Sequence, residues 1–248
     1  GLGKKVLVSN NMAVVTDAAF NLIINNEFQA SVGMAWLGAI SYTLQIFFDF
    51  SGYSDMAIGL GKMFGFHFEE NFNYPYISKS ITEFWRRWHI TLSTWFREYV
   101  YIPLGGNRKG KTRTFINLLI VWALTGLWHG ASWNFILWGL YFAFWLILEK
   151  AFLGKQLLKL PKFISHIYTI ILVLFGFFIF IYCDLENPVQ YFYAMFSTSL
   201  VSKTALYDLV RSLLFLVVLI IGSTQLPHKI YCKLKDKTVF KVIMCIAL

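Results

Sequence analysis

Apolar runs, separated by short polar, glycine-bearing or basic segments, divide the chain. The run Phe28–Phe48 matches the roughly 20 residues that a helix needs to cross about 30 Å of hydrocarbon. Asp49-Phe-Ser-Gly-Tyr-Ser-Asp55 follows, polar and glycine-containing, and then Met56–Phe66, apolar but short and carrying three glycines. That pattern predicts a broken or re-entrant helix over Met56–Phe66. Non-helical backbone at membrane depth must be buried in protein or line a wet cavity. His67–Lys79 reads as a loop, with Asn73-Tyr-Pro75 as its turn signal. Ser80-Ile-Thr-Glu83 has capping-box spacing and predicts a helix running to about Ile102, stopped by Pro103 and Gly105-Gly106. On one such helix Trp85, His89, Leu92, Phe96 and Tyr99 share a stripe, and Arg86, Ser93 and Arg97 share another. It reads as an amphipathic helix lying in the interface or lining a cavity.

Gly105–Arg113 is a basic loop. Phe115–Trp128 runs apolar into His129-Gly-Ala-Ser132, and Trp133–Leu148 continues apolar to Glu149. Each half is short for a full span. Lys150, Lys155, Lys159 and Lys162 form a second basic segment. The positive-inside rule places both basic segments in the cytoplasm, so His129 lies near the far end of an in–out–in pair. Phe163–Tyr182 is a clear span. Cys183–Tyr207 carries little basic charge and reads as outside, Leu209–Gly222 returns, and Lys229, Lys233, Lys235, Lys237 and Lys241 form the next basic loop. The chain begins at Gly1 without a signal-peptide pattern and stops inside the apolar run Val239–Leu248, so truncation at both ends is expected.

Composition agrees with the pattern. Of 248 residues, 57% are hydrophobic and 14% charged, against roughly a quarter charged in soluble domains. Disorder and a disulfide scaffold are excluded, the latter because three cysteines cannot staple this length. The expectation is an all-α, multi-pass membrane protein. Its net charge of +9 fits cytoplasmic loops meeting anionic membrane lipid and points to no nucleic-acid partner. Cys183, Cys232 and Cys245 are single, with no CxxC, so no metal site is expected.

His129 is the first candidate for chemistry. Ionisable groups in membrane-embedded segments are costly and mark function, and imidazole moves protons near neutral pH. The competing reading is a neutral, buried histidine bonded to a carbonyl beside Ser132 or Asn134. His89 sits among Trp85, Trp88 and Trp95, where packing and function are both open. The two histidines form no HxxxH or HExxH ligand pattern. Asp49 and Asp55 close a span and serve either a cation, a proton or a helix-end amide. Arg86, Arg87 and Arg97 suit a phosphate-bearing substrate, an acidic carrier protein or lipid headgroups. Gly59-Leu-Gly61 lacks the rest of a dinucleotide fingerprint, and no GxSxG elbow occurs.

Five blocks carry a resemblance: Phe48-Asp-Phe-Ser-Gly-Tyr-Ser-Asp-Met-Ala-Ile-Gly59, Glu70-Asn-Phe-Asn-Tyr-Pro-Tyr76, Ile81-Thr-Glu-Phe-Trp-Arg-Arg-Trp-His-Ile-Thr-Leu-Ser-Thr-Trp95, Tyr101-Ile-Pro-Leu-Gly-Gly-Asn-Arg108 and Leu124-Thr-Gly-Leu-Trp-His-Gly-Ala-Ser-Trp133. In this order they resemble the membrane-bound O-acyltransferase (MBOAT) family, in its bacterial branch acting on alginate, peptidoglycan and, more distantly, teichoic acids. The last hundred residues match in hydropathy alone. The resemblance implies a single membrane-embedded domain over residues 1–248, the C-terminal portion of a longer chain lacking the N-terminal half of the fold. That fold is a helical bundle with a central tunnel or funnel and re-entrant or interfacial helices. It implies residence in the bacterial cytoplasmic (inner) membrane and no bound cofactor. The donor it implies is acyl-CoA or an acyl-carrier-protein thioester. An acetyl group then passes outward toward an envelope polysaccharide, commonly with an SGNH-type extracytoplasmic partner.

The resemblance makes His129 the catalytic general base and His89 its second histidine. Trp128, Trp133 and Asn134 would shape the acyl site, and Arg86, Arg87 and Arg97 would hold donor phosphates. Two other functions compete: a proton-coupled transporter relaying through His129, and a non-catalytic anchor for an extracytoplasmic acetyltransferase.

Overall fold

A computed structural model describes residues 1–25, 31–181, 188–197 and 200–238. Cys183, Cys245, the run Val239–Leu248 and the start of the expected Phe28–Phe48 span lie outside the described residues. Among the described residues the chain is all-α, with a lone bridge between Phe72 and Trp88 as its nearest approach to a strand. A π-helical turn Lys4–Ser9 leads into α1 (Asn10–Asn25), and α2 follows (Val32–Met63). Two short helices come next, α3 (Ile81–Trp85) and α4 (Ile90–Phe96). The hairpin of α5 (Gly110–His129) and α6 (Trp133–Leu148) is followed by α7 (Gly154–Leu157), α8 (Lys162–Ile181), α9 (Pro188–Ser197), α10 (Lys203–Gly222) and α11 (Leu226–Leu234). Among the described residues, three helical stretches are long and apolar enough to cross a membrane: Trp133–Leu157, Lys162–Ile181 and Lys203–Gly222. The first is longer than the sequence suggests, because helical winding continues through Glu149–Leu153 rather than stopping at Glu149.

Two expected breaks moved. Met56–Phe66 is not a separate re-entrant piece, because α2 runs unbroken for 32 residues through Asp49, Asp55 and the glycines up to Gly61. Lys5 pairs with Asp49, and Lys4 Nζ lies 2.8 Å from Asp55 Oδ2, so the acidic helix face is neutralised by the N-terminal turn. Gly52 permits that approach, since a Cβ there would stand 3.1 Å from the Gly1 carbonyl oxygen and from Lys4 Cβ. Gly52 makes room for a neighbouring chain segment, and Gly59 and Gly61 do not end the helix.

The expected single helix from Ser80 to about Ile102 is instead broken after Trp85. Its start is as read: Ser80 Oγ accepts from the Glu83 amide at 3.0 Å. Residues 71–73 then compete for the backbone. The Asn73 amide donates to Arg87 O at 2.9 Å, and the Ile90 amide donates to Asn71 O at 3.0 Å. His89 is thereby forced to φ 47°, left-handed backbone that costs a non-glycine residue about 1–2 kcal/mol. Helix resumes at Ile90, passes through a π turn over Arg97–Tyr101 and ends before Gly105-Gly106, as the sequence indicates. The stripe drawn on one helix therefore dissolves: Phe96 is buried while Tyr99 is exposed.

Both ends of this segment are tied to one place. The Ile81 and Thr82 amides donate to the Glu149 carboxylate at 2.7 and 2.8 Å, while Lys150 Nζ donates to Asn107 Oδ1 and Tyr101 Oη. The chain from Ser80 to Asn107 thus leaves and returns to a single turn, with His89 between. The broken backbone expected over 56–66 is absent there, and the interrupted helix is this one. The α5–α6 hairpin packs at backbone contact: a Cβ on Gly139 would meet Trp122 O at 2.2 Å, and one on Gly126 would meet Phe135 O at 2.3 Å. Small residues at helix crossings are what association in lipid uses in place of a hydrophobic driving force.

Candidate functional site

The fold brings His89 and His129 to one cavity of about 200 Å³. Its walls come from α2 (Ile46, Asp49, Phe50), the broken segment (Trp85, Trp88, Leu92, Ser93), α5 (Trp122, Thr125), α6 (Trp138) and α8 (Phe177, Phe180). Forty residues of chain separate the two histidines, and their meeting follows from the break at His89, which a continuous helix would not give.

His129 ends α5. Its ring meets Trp138 and Phe180 edge-to-face at 5.0 Å each, and Trp128 at 4.9 Å. Among the described residues the imidazole is surrounded by rings, in place of the carbonyl partner that a structural histidine would have. His89 is held differently. Its Nδ1 lies 3.1 Å from Asn71 Oδ1. The same Oδ1 accepts from the Thr91 amide at 3.3 Å and from Thr91 Oγ1 at 2.9 Å, while Asn71 Nδ2 donates to Ser54 Oγ at 3.1 Å. The amide orientation is therefore set by a backbone N–H. A carbonyl oxygen cannot donate, so Nδ1 of His89 carries the proton and Nε2 is the free acceptor. Burial, reinforced by the neighbouring His129, holds this imidazole down to about 4, so it is neutral near pH 7.

Trp128 joins the two rings. It lies 6.0 Å from His89 and 4.9 Å from His129 between ring centroids, and it is exposed on its outer side. Asp49 lines the cavity, paired with Lys5 and accepting from Ser9 Oγ at 3.0 Å. Outside this cavity a more open one of about 570 Å³ shares His89 and Phe50, and adds Tyr53, His67, Glu69 and Asn71. His89 thus stands in the wall shared by the two cavities.

Other expected residues lie elsewhere. Trp133 is largely exposed and Asn134 is buried, its Nδ2 donating to Phe180 O at 2.7 Å, a tie between α6 and α8. Asp55 sits in the N-terminal ion pair. Arg87 binds Glu83 at 2.9 Å and Asn73 O at 3.0 Å, Arg97 pairs with Glu98 at the surface, and Arg86 lines a separate basic groove. None of the three arginines lines the histidine cavity. Sequence reading missed Asn71, whose place in the Glu70–Tyr76 block was the available signal, and Trp122, Thr125, Phe177 and Phe180, which lie within apolar runs with no local feature that sets them apart. Among the described residues no group of three or more His, Cys, Asp or Glu side chains is placed to hold a metal.

The MBOAT family model, described as membrane-bound O-acyltransferase, matches residues 1–222. The probable alginate O-acetylase AlgI of Azotobacter vinelandii is 49% identical over 197 residues, covering 79% of this chain and 38% of that protein. The probable alginate O-acetylase AlgI of Pseudomonas putida is 51% identical over 199 residues, covering 79% and 40%. A peptidoglycan O-acetyltransferase of Helicobacter pylori is 43% identical over 172 residues, covering 68% and 32%. The chain spans about two fifths of the length of the first of these relatives. With the family match extending over the helices that wall the two-histidine cavity, this chain belongs to the membrane-bound O-acyltransferase family.

Proposed function

We propose that this chain carries the acyl-transfer centre of a membrane O-acyltransferase. It moves an acetyl group from a cytoplasmic thioester, acyl-CoA or a carrier-bound pantetheine, toward a hydroxyl of an envelope polysaccharide. The observation that carries the reading is the convergence of His89 and His129 on one small aromatic cavity.

The chemistry follows from what the residues can do. The acceptor hydroxyl loses its proton to the His129 imidazole as its oxygen attacks the thioester carbonyl carbon. The tetrahedral intermediate collapses, the carbon–sulfur bond breaks, and the leaving sulfur takes the proton back from the imidazolium. His89 presents Nε2 as an acceptor, its other nitrogen occupied by Asn71, and so orients the incoming hydroxyl. The aromatic walls exclude water and protect the thioester from hydrolysis. Product release to the outer side, with an SGNH-type extracytoplasmic transferase completing transfer to the polymer, belongs to the same proposal, as does residence in the bacterial cytoplasmic membrane. The named substrates of the relatives make alginate or peptidoglycan the acceptors to try first.

The test is His129→Ala and His129→Gln in the full-length protein, with envelope acetylation measured at matched membrane abundance. Loss by both variants supports the reading. Undiminished acetylation removes His129 as the base.

A further inference from the structure

We propose that the groove between α2, α8 and α10 is a binding site for one anionic glycerophospholipid, separate from the histidine cavity. The groove holds about 600 Å³. Its lining is largely apolar, with Leu44 and Leu174 buried, Ile170 half-buried, and Ile40 and Ile220 exposed along its open side. Its mouth is cationic: Lys79 and Lys162 stand there with no Asp or Glu in the groove's own lining, and both also border the neighbouring groove, which carries Glu83, Glu149, Arg86 and Lys150. Among the described residues neither lysine makes an ion pair, although Asp and Glu elsewhere in the chain attract Lys4, Lys5 and Arg87. The mouth also carries His166, whose Nδ1 lies 3.1 Å from Ser78 O. Because that carbonyl only accepts, Nδ1 is protonated and Nε2 is left as the ring's second polar atom.

The arrangement is directional. α8 begins at Lys162 and α10 ends at Gly222, so the cationic mouth lies where these antiparallel helices meet the basic segments. Lys155 and Lys159 precede it in the chain, and Lys229 and Lys233 follow on α11. By the positive-inside rule this is the cytoplasmic end, where the leaflet is rich in anionic lipid. A free anion would use the lysines and leave the apolar lining wetted. An uncharged lipid would fill the groove and leave two unpaired ammonium groups at its mouth. A phosphate head with an acyl chain behind it satisfies both halves.

The experiment uses the full-length protein purified in mild detergent, with lipid adducts counted by native mass spectrometry and thermal unfolding followed in parallel. Phosphatidylglycerol, phosphatidylcholine and inorganic phosphate are the three probes. The expected result is a retained phosphatidylglycerol adduct and a dose-dependent rise in Tm that the other two do not give. Lys79→Gln with Lys162→Gln should weaken that binding by about thirtyfold, the loss of two juxtamembrane cation contacts. Ile220→Trp, which fills the groove without touching charge, should abolish the adduct and leave basal stability unchanged. Equal binding of phosphatidylcholine, a phosphate effect matching that of the lipid, or an adduct that survives both variants would each overturn the proposal. None of these readouts depends on acyl transfer.

Discussion

Asn71 Oδ1 stands 3.1 Å from His89 Nδ1, and that one contact fixes which nitrogen of His89 faces the cavity. The residue doing so is itself locked by Thr91 and Ser54. A histidine in left-handed backbone is thus held at three points: its own ring, the Ile90 amide and the Thr91 amide.

Asn71→Ala should lower acyl transfer by about 10²-fold, the lower end of what a positioned acid–base group contributes. Asn71→Asp keeps an acceptor for Nδ1 and should recover more activity than alanine. Acetylation assays at equal protein abundance check the order; equal losses in the two variants would show that the tautomer is unimportant.

Trp128 touches both histidines yet is largely exposed, so Trp128→Ala should cost little stability and much activity. We expect at least about a tenfold loss of transfer with Tm nearly unchanged, because misplacing a reacting group is expensive. Trp128→Phe should fall between.

Glu149 is buried and receives the Ile81 and Thr82 amides and Thr82 Oγ1. Glu149→Ala leaves those donors without their charged acceptor and should destabilise by about 3 kcal/mol or more. Glu149→Gln, which sets an NH₂ against one N–H, should be intermediate. Thermal unfolding in detergent reads both.

Gly139→Ala places a methyl 2.2 Å from Trp122 O and should cost about 1–3 kcal/mol through forced separation of α5 and α6. Gly59→Ala is the matched control: nothing lies within 4 Å, and alanine should stabilise that helix by about 0.5–1 kcal/mol. Unfolding curves of the two variants should move in opposite directions.

Much of this was legible in the chain, and the failures share a cause. The helices over Phe115–Leu148 and Lys162–Ile181 follow hydropathy, because in lipid the pattern of apolar residues decides where helix forms, although α5 begins a turn early, at Gly110, inside the stretch read as a basic loop. Ser80 and Pro103 marked their boundaries because capping and proline act locally. The break at His89 was invisible, since it depends on residues 71–73 capturing backbone groups that local periodicity assigns to a helix. The continuity of α2 was hidden for the converse reason: Gly52 and Gly61 accommodate close neighbours, and Gly59 is simply tolerated in the helix. His89 and His129 could be named as candidates, but their meeting could not, because no local rule links positions forty residues apart.

The shared anchorage of the Ser80–Asn107 segment has a mechanical consequence. Its two roots sit on adjacent residues, Glu149 and Lys150, and its tip is clamped separately, where Asn71 O receives the Ile90 amide, the Asn73 amide donates to Arg87 O and Asn71 Oδ1 faces the His89 ring. A displacement at the roots reaches His89 only by breaking those bonds. The imidazole therefore sits on a strut braced at both ends.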